Sequence, residues 1–227
     1  MKKIFSGTAL VLCCLMYLGY AQAQGGAPSE SMMVSGFKQA LSIGTEKAVQ
    51  MVSKPDGYFN NPAIKIPLPE KMKLVADTLA KAGMQKQVDD FTLSMNRAAE
   101  KAAPQAASIF GGAIKDMSIE DANKIYSGGD TSATEFFKGK TSDKISRAFK
   151  PIVSSSMGEA GTTAMFNGIM SKYNAIPFAP KTSIDIEDYV TNKAMEGLFV
   201  MVGQEEKKIR TDPAARTTDV LKSVFGK

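Results

Sequence analysis

The clearest periodicity in the chain lies in Met84-Gln-Lys-Gln-Val-Asp-Asp-Phe-Thr-Leu-Ser-Met-Asn-Arg-Ala-Ala-Glu-Lys-Ala102. Its apolar residues recur at alternating steps of four and three: Met84, Val88, Phe91, Met95, Ala98 and Ala102. Because an α-helix has 3.6 residues per turn, that spacing puts them on one face. We therefore expect this helix to pack against the core.

The same helical spacing recurs along most of the remaining chain, between turns rich in Gly and Pro. We expect short helices to begin at Asp130 and again at Thr141 or Ser142, and a last helix to begin at Asp212-Pro213 as N-cap and first residue. Ser118 and Asp121 have the spacing of a capping box. The fold class we predict is all-α, a single compact multi-helix domain of about eight to ten helices.

The segment Tyr58-Phe-Asn-Asn-Pro-Ala-Ile-Lys-Ile-Pro-Leu-Pro69 is the exception, because its three prolines forbid a continuous helix. Ile64, Ile66 and Leu68 alternate, which is also compatible with a short edge strand. We expect an extended proline-rich loop packed across the helices, with these three residues more buried than Lys65. Its buried backbone groups need partners, and the candidates are the side chains of Asn61, Arg97 and Tyr173.

The N-terminus has the pattern of a secretory signal peptide. Lys2 and Lys3 precede an apolar run from Thr8 to Tyr20, and Ala21-Gln-Ala23 has the form of a cleavage site. We predict cleavage between Ala23 and Gln24 and a periplasmic or secreted protein. The domains are then a signal peptide at 1–23, a flexible lead-in at 24–32 and a helical domain at 33–227. An uncleaved anchor is the alternative, although the run is short for a span of about 20 residues, and no later stretch is apolar enough to span.

Composition excludes several chemistries. Both cysteines, Cys13 and Cys14, lie in the predicted signal peptide, and the chain has no His and no Trp. A mature chain without Cys or His has no Ser-His-Asp triad, no Cys-His pair and no zinc site with nitrogen or sulfur ligands. A metal could still bind through oxygen ligands, as calcium does, but the sequence has no EF-hand spacing. We predict no metal site and no cofactor. The net charge of +5 in an exported protein favours anionic envelope polymers or lipids over nucleic acid as partners, or serves only solubility.

Two charged groups are candidates for function, each with a structural alternative, and a third has only a structural interpretation. Arg97 and Glu100 share a helix face with Asn96, and the guanidinium either grips an anion in a cleft or braces a neighbouring loop. A basic group on one helix is either a landing patch for anionic lipid or polysaccharide or a solvated face; it comprises Lys140, Lys144, Arg147 and Lys150. In Glu205-Glu-Lys-Lys208 the lysines suit a helix C-terminus, and we predict no site there.

Four stretches resemble those of a bacterial family, domain-of-unknown-function family 4197. They are Asn61-Pro-Ala-Ile-Lys-Ile-Pro-Leu-Pro69, Ser94-Met-Asn-Arg-Ala-Ala-Glu100, Tyr173-Asn-Ala-Ile-Pro177 and Gly203-Gln-Glu-Glu-Lys-Lys-Ile-Arg-Thr-Asp-Pro-Ala-Ala-Arg-Thr-Thr218. The resemblance runs from about Ser35 to the C-terminus. It implies one helical domain and an exported bacterial protein, and it assigns no catalytic residue.

The sequence leaves two classes of function open. The first is a non-enzymatic binding protein for an apolar or anionic cell-envelope molecule or for a partner protein, with Asn61, Arg97, Glu100 and Tyr173 as candidate binding residues. The alternative is an envelope hydrolase, which requires two carboxylates about 5 to 10 Å apart in a cleft. A deep apolar cavity would favour a small ligand, facing acids would favour the hydrolase, and neither would favour a partner surface.

Overall fold

The structure is a computed structural model that describes residues 30–174 and 184–225, without the side chains of residues 30, 32 and 172–174. Its helices are α1 Glu30–Ser53, α2 Lys73–Lys81, α3 Gln85–Ala102, α4 Gln105–Lys115, α5 Ile119–Tyr126, α6 Ser132–Glu159, α7 Thr162–Asn174, α8 Ile186–Thr211 and α9 Asp219–Phe225, with 3-10 turns at Glu70–Met72 and Pro213–Ala215. No strand occurs in the described residues. The all-α prediction is confirmed, and the predicted signal peptide lies outside the described residues.

The two longest helices in the second half of the chain, α6 and α8, form an antiparallel pair at the centre. Lys150 of α6 contacts Asp188 at the start of α8, whereas Thr134 contacts Glu206 near its end. Helix α3 packs against both of them, and α1 packs against α8, α4 and α9. Each of these helices therefore buries an apolar stripe in one shared core.

Helix α3 buries the predicted stripe along most of its length. Phe91, Met95, Ala98 and Ala102 are all buried, while Val88 is half-buried and Met84 is exposed. The stripe loses burial toward the N-terminus of α3. The short α2 lies beside this end of α3, where Val88 and Phe91 line a small cavity together with Val75 and Leu79 of α2.

Two predicted helix boundaries are wrong. Helix α6 runs without a break through Thr141 and Ser142, because each hydroxyl donates to the carbonyl four residues earlier instead of capping a new helix, at 2.6 Å to Phe137 and 2.7 Å to Lys138. Asp212 does cap a helix, accepting from the Ala214 N–H at 2.8 Å. The capped element is the 3-10 turn, and α9 begins only at residue 219.

The capping box at the start of α5 is confirmed. The Ser118 hydroxyl accepts from the Asp121 N–H at 3.0 Å, and the Asp121 carboxylate accepts from the Ser118 N–H at 3.2 Å. Two backbone donors at the helix start are thereby satisfied.

The proline-rich segment lies across the helices, as predicted. Ile64 and Ile66 are buried and Leu68 is half-buried, whereas Lys65 points to solvent. The edge-strand alternative is wrong, because residues 58–64 form turns and 65–69 form no ladder. The segment is fixed to α8 by the Tyr58 hydroxyl, which is fully buried and donates to the Ala194 carbonyl at 2.6 Å.

Gly197 of α8 makes room for this segment. A Cβ atom at position 197 would lie 2.7 Å from Tyr58 Cε1 and 3.1 Å from Ile64 Cβ. Both neighbours are buried, so neither can move aside without disturbing the core.

We therefore expect Gly197→Ala to lower the free energy of unfolding by about 1–3 kcal/mol through overpacking. The matched control is Gly112→Ala on α4, where the added Cβ meets no atom within 4 Å. That substitution should raise stability by about 0.5–1 kcal/mol, because alanine loses less backbone entropy in a helix. Urea unfolding of both variants measures the difference, and equal effects at the two sites would contradict this packing.

Candidate functional site

Helix α3 holds the proline-rich segment with three side chains, Asn96, Arg97 and Glu100, which we call the α3 clamp. The amide of Asn96 is fully buried and pairs with the backbone of Ile66. Its Oδ1 accepts from the Ile66 N–H at 2.8 Å, and its Nδ2 donates to the Ile66 carbonyl at 2.9 Å. One side chain thus replaces the strand partner that the extended residue lacks.

Glu100 is the buried acid of the clamp. One oxygen accepts from the backbone N–H groups of Tyr58 and Phe59, at 3.0 and 3.2 Å. The other oxygen accepts from Arg97 Nη1 at 2.6 Å. A buried carboxylate is strongly destabilising unless it is paired and hydrogen-bonded, and here both oxygens have donors.

Arg97 links this acid to a second one. Its Nη2 donates to the Asp56 carboxylate at 2.6 Å, at the turn that precedes the proline-rich segment. Asp56 has a φ of 68°, a left-handed backbone that is uncommon for a residue with a side chain. One guanidinium is therefore shared by two carboxylates and braces the turn against α3. The site has one more negative than positive charge, so it does not suit an anionic ligand.

The remaining candidate residues do not join the clamp. Asn61 forms a turn within the proline-rich segment, where its Oδ1 accepts from the Ala63 N–H at 3.1 Å, and its Nδ2 lies 3.4 Å from the sulfur of Met201. The side chain of Tyr173 lies outside the described residues. The structure thus brings together Arg97 and Glu100 on α3 and places Asn61 apart from them, within the proline-rich segment.

A second set of buried charges lies on α8 and was missed by the sequence analysis. The Glu206 carboxylate caps the N-terminus of α6, accepting from the N–H groups of Ala133 and Thr134 at 2.9 and 2.8 Å. An anion is favoured at that end of a helix. Arg210 completes the contact, because it donates to Glu206 at 3.0 Å and to the Ile125 carbonyl of α5 at 2.8 Å.

Glu205 is buried between two lysines. Lys47 of α1 and Lys208 of α8 lie 2.8 and 2.7 Å from its two oxygens. Burial alone raises the pKa of Glu205, but the hydrogen bonds and charges of the two lysines outweigh it and hold the pKa below its ordinary value of 4.5. Both glutamates continue the apolar stripe, since they follow Val202 by three and four residues, and that position was the signal of burial.

Like Glu205, two further carboxyl groups of the described residues have a pKa below the ordinary value, which favours the ionised form. A backbone hydrogen bond from Ser118 lowers the pKa of Asp121, and the hydrogen bond from Lys150 lowers that of Asp188. No group of three or more potential metal-binding acids lies together in the described part of the chain. A general acid needs the opposite, a raised carboxyl pKa.

An open groove of about 660 Å³ lies between α6 and α8. We call it the α6–α8 groove. Its apolar floor comes from α8, with Met195, Phe199 and Val200, and Val200 is 42% exposed. Its rim carries charges of both signs, from Glu135, Lys138, Glu196 and Lys207.

Two more enclosed cavities are small. One lies between α1 and α8 near Glu206, the other between α2 and α3 near Phe91, and each has a volume of about 20 Å³. That is room for about one water molecule. Neither accommodates an apolar ligand without a rearrangement of the core.

The comparisons with known proteins give a family. The family model described as "Protein of unknown function (DUF4197)" matches residues 27–226 of the 227, and it confirms the resemblance seen in the sequence. The comparison with curated proteins found no match, and neither did the comparison with solved structures.

We expect Glu100→Gln to destabilise the fold by about 2–3 kcal/mol, because it removes charge-assisted hydrogen bonds from a buried site. The control is Glu159→Gln, an exposed acid 3.8 Å from Lys101, which should change stability by less than about 0.5 kcal/mol. Arg97→Lys should also destabilise, since an ammonium cannot bridge two carboxylates as a planar fork does. Urea unfolding tests all three variants. Unchanged stability of the Arg97 and Glu100 variants would contradict the role of these residues as a brace.

Proposed function

The chain belongs to the DUF4197 family, and we propose that it is an exported, non-enzymatic binding protein that docks a helical segment of a partner protein. The observation that carries this proposal is the α6–α8 groove, with its apolar floor and charged rim. The periplasm or the cell exterior is the proposed location, on the strength of the signal-peptide pattern at residues 1–23.

The dimensions of the groove favour a helix as the occupant. On α8 its lining runs from Met195 to Lys207, a rise of about 18 Å, or roughly three helical turns. The groove is open along one side, so a small molecule would stay largely exposed, whereas binding sites for small molecules bury most of the ligand. An amphipathic helix can lay one apolar face on the floor and keep its polar face in water.

The rim supports the same occupant. Glu135 and Lys138 stand on the α6 side, and Glu196 and Lys207 on the α8 side, so the rim as a whole is neutral. Glu135 pairs with Lys138 at 3.0 Å and Glu196 with Lys193 at 2.6 Å, so a partner helix with acids and bases flanking its apolar stripe would exchange these exposed pairs for pairs across the interface. Such rim pairs set register and orientation more than affinity.

The hydrolase alternative has weaker support. Asp56 and Glu100 are the acids that Arg97 brings together, and both are bound to its guanidinium at 2.6 Å. An acid–base pair needs one protonated carboxyl and one free carboxylate. Here both acids are bound to one guanidinium as parts of the brace, and neither is a free carboxylate.

The test of the groove is photo-crosslinking from position 200, with position 74 as control. Leu74 on α2 is an exposed apolar residue (65% exposed) outside the groove. A benzophenone amino acid at position 200 should give a discrete protein adduct in cells, and the same probe at 74 should not. The crosslinked segment should have apolar residues at helical spacing.

A synthetic peptide of that segment then measures affinity directly. We expect Val200→Glu to weaken its binding tenfold or more, because the variant places a charge on the apolar floor, and Leu74→Glu to leave it unchanged. Binding that is equal for the two variants would overturn the groove as the binding site. An adduct with lipid in place of protein would overturn the proposed partner.

The export half of the proposal has its own test. Removal of residues 1–23 leaves a chain that begins at Gln24, with 227 − 23 = 204 residues. N-terminal sequencing and the intact mass of protein from the periplasm or medium should show that start. A mass that includes Cys13, or one with an added lipid, would contradict cleavage at this site.

A further inference from the structure

One flank of α6 carries three exposed cations, Lys140, Lys144 and Arg147, which we call the α6 basic face. Lys140 and Lys144 each precede a buried residue of the helix, Thr141 and Ile145. The groove residues Lys138 and Ser142 each follow a buried one. The basic face and the α6–α8 groove therefore lie on opposite flanks of the buried stripe of α6.

The three cations lack the acidic partners that neighbouring lysines have. Lys138 and Lys150 on the same helix pair with Glu135 at 3.0 Å and with Asp188 at 2.6 Å. No acid of the described residues forms a salt bridge with any cation of the α6 basic face. Lys140 instead lies over the ring of Phe136, 5.8 Å from its centre.

The face has a net positive charge in spite of one acid. Asp143 is the only acid between Lys140 and Arg147 in the sequence, and it is exposed. Asp121 of α5 lies close enough for the charge of Lys140 to lower its pKa, although its hydrogen bonds with Ser118 contribute more. Three cations remain against one acid on the face itself, and the positive charge is local to this face.

We propose that the α6 basic face binds the phosphate headgroups of an anionic bilayer and holds the protein at a membrane surface. The three cations span the eight residues 140–147, or about 10 Å of helix, and so form a short line that can meet a plane of phosphates. Long lysine and arginine side chains reach such a plane while the helix stays above it. None of the described helices is both long and apolar enough to cross a bilayer. The attachment that we propose is electrostatic and peripheral.

The expected strength follows from the number of cations. Each basic residue near an anionic surface strengthens binding about fivefold, so removal of three weakens it about a hundredfold. Surface charges are screened by salt, and the Debye length falls from about 10 Å at 0.1 M to about 3 Å at 1 M. Binding should therefore disappear at high salt.

Vesicle sedimentation of the mature chain tests the proposal. We expect binding to vesicles that contain phosphatidylglycerol and none to vesicles of phosphatidylcholine alone. The triple variant K140Q/K144Q/R147Q should lose about a hundredfold in binding. The matched control, K54Q/K71Q/K81Q, removes three exposed cations that also form no described salt bridge, and it should bind like the unsubstituted protein.

A third variant separates a loss of fold from a loss of binding. Asp143→Asn removes the one acid of the face and should strengthen binding several-fold. Equal loss in both triple variants would mean that only net charge matters and would overturn the site. The protein could instead bind soluble polyphosphate through the same three cations and fail to bind vesicles. That result would overturn the membrane as the ligand and indicate a soluble polyanion. The groove variant Val200→Glu should leave vesicle binding unchanged, so the two proposals can fail separately.

Discussion

The buried carboxylate of Glu100 is the contact on which the arrangement of the helices depends. It accepts the backbone N–H groups of Tyr58 and Phe59 and so fixes where the proline-rich segment leaves the turn after α1. Tyr58 then reaches α8 and donates to Ala194, beside the space left by Gly197. The segment therefore lies between α3 and α8 and contacts both helices, and it sets the distance between them.

The same device recurs at the other end of α8, where Glu206 accepts the first N–H groups of α6. In both places a buried acid binds the backbone of an element distant in sequence. Apolar packing supplies most of the stability but little direction, whereas a carboxylate between two N–H groups tolerates only one register. The described residues contain no cysteine, and such contacts provide the specificity that disulfides give some other proteins.

The sequence predicted what depends on periodicity and local geometry. The buried stripe of α3, the capping box at Ser118 and the burial of Ile64 and Ile66 all follow from spacing alone. The failures have a common cause, because they concern polar side chains with two possible partners. Thr141 can cap a helix or donate to the preceding turn, and Glu205 can face water or two lysines. Tertiary contacts decide between these outcomes, and no local pattern encodes them. For the same reason the sequence found Arg97 and Glu100 but missed Glu206 and Arg210.

These contacts narrow where a ligand can act. Arg97, Glu100, Glu206 and Arg210 already bind one another or a neighbouring carboxylate, which makes them less available to a substrate. Unused capacity lies on the two flanks of α6, as an apolar floor beside α8 and as cations without acids. A helix that is buried along one stripe and displays a different chemistry on each side can hold a partner on one flank and a charged surface on the other. Both flanks belong to one continuous helix, so their relation to each other is fixed.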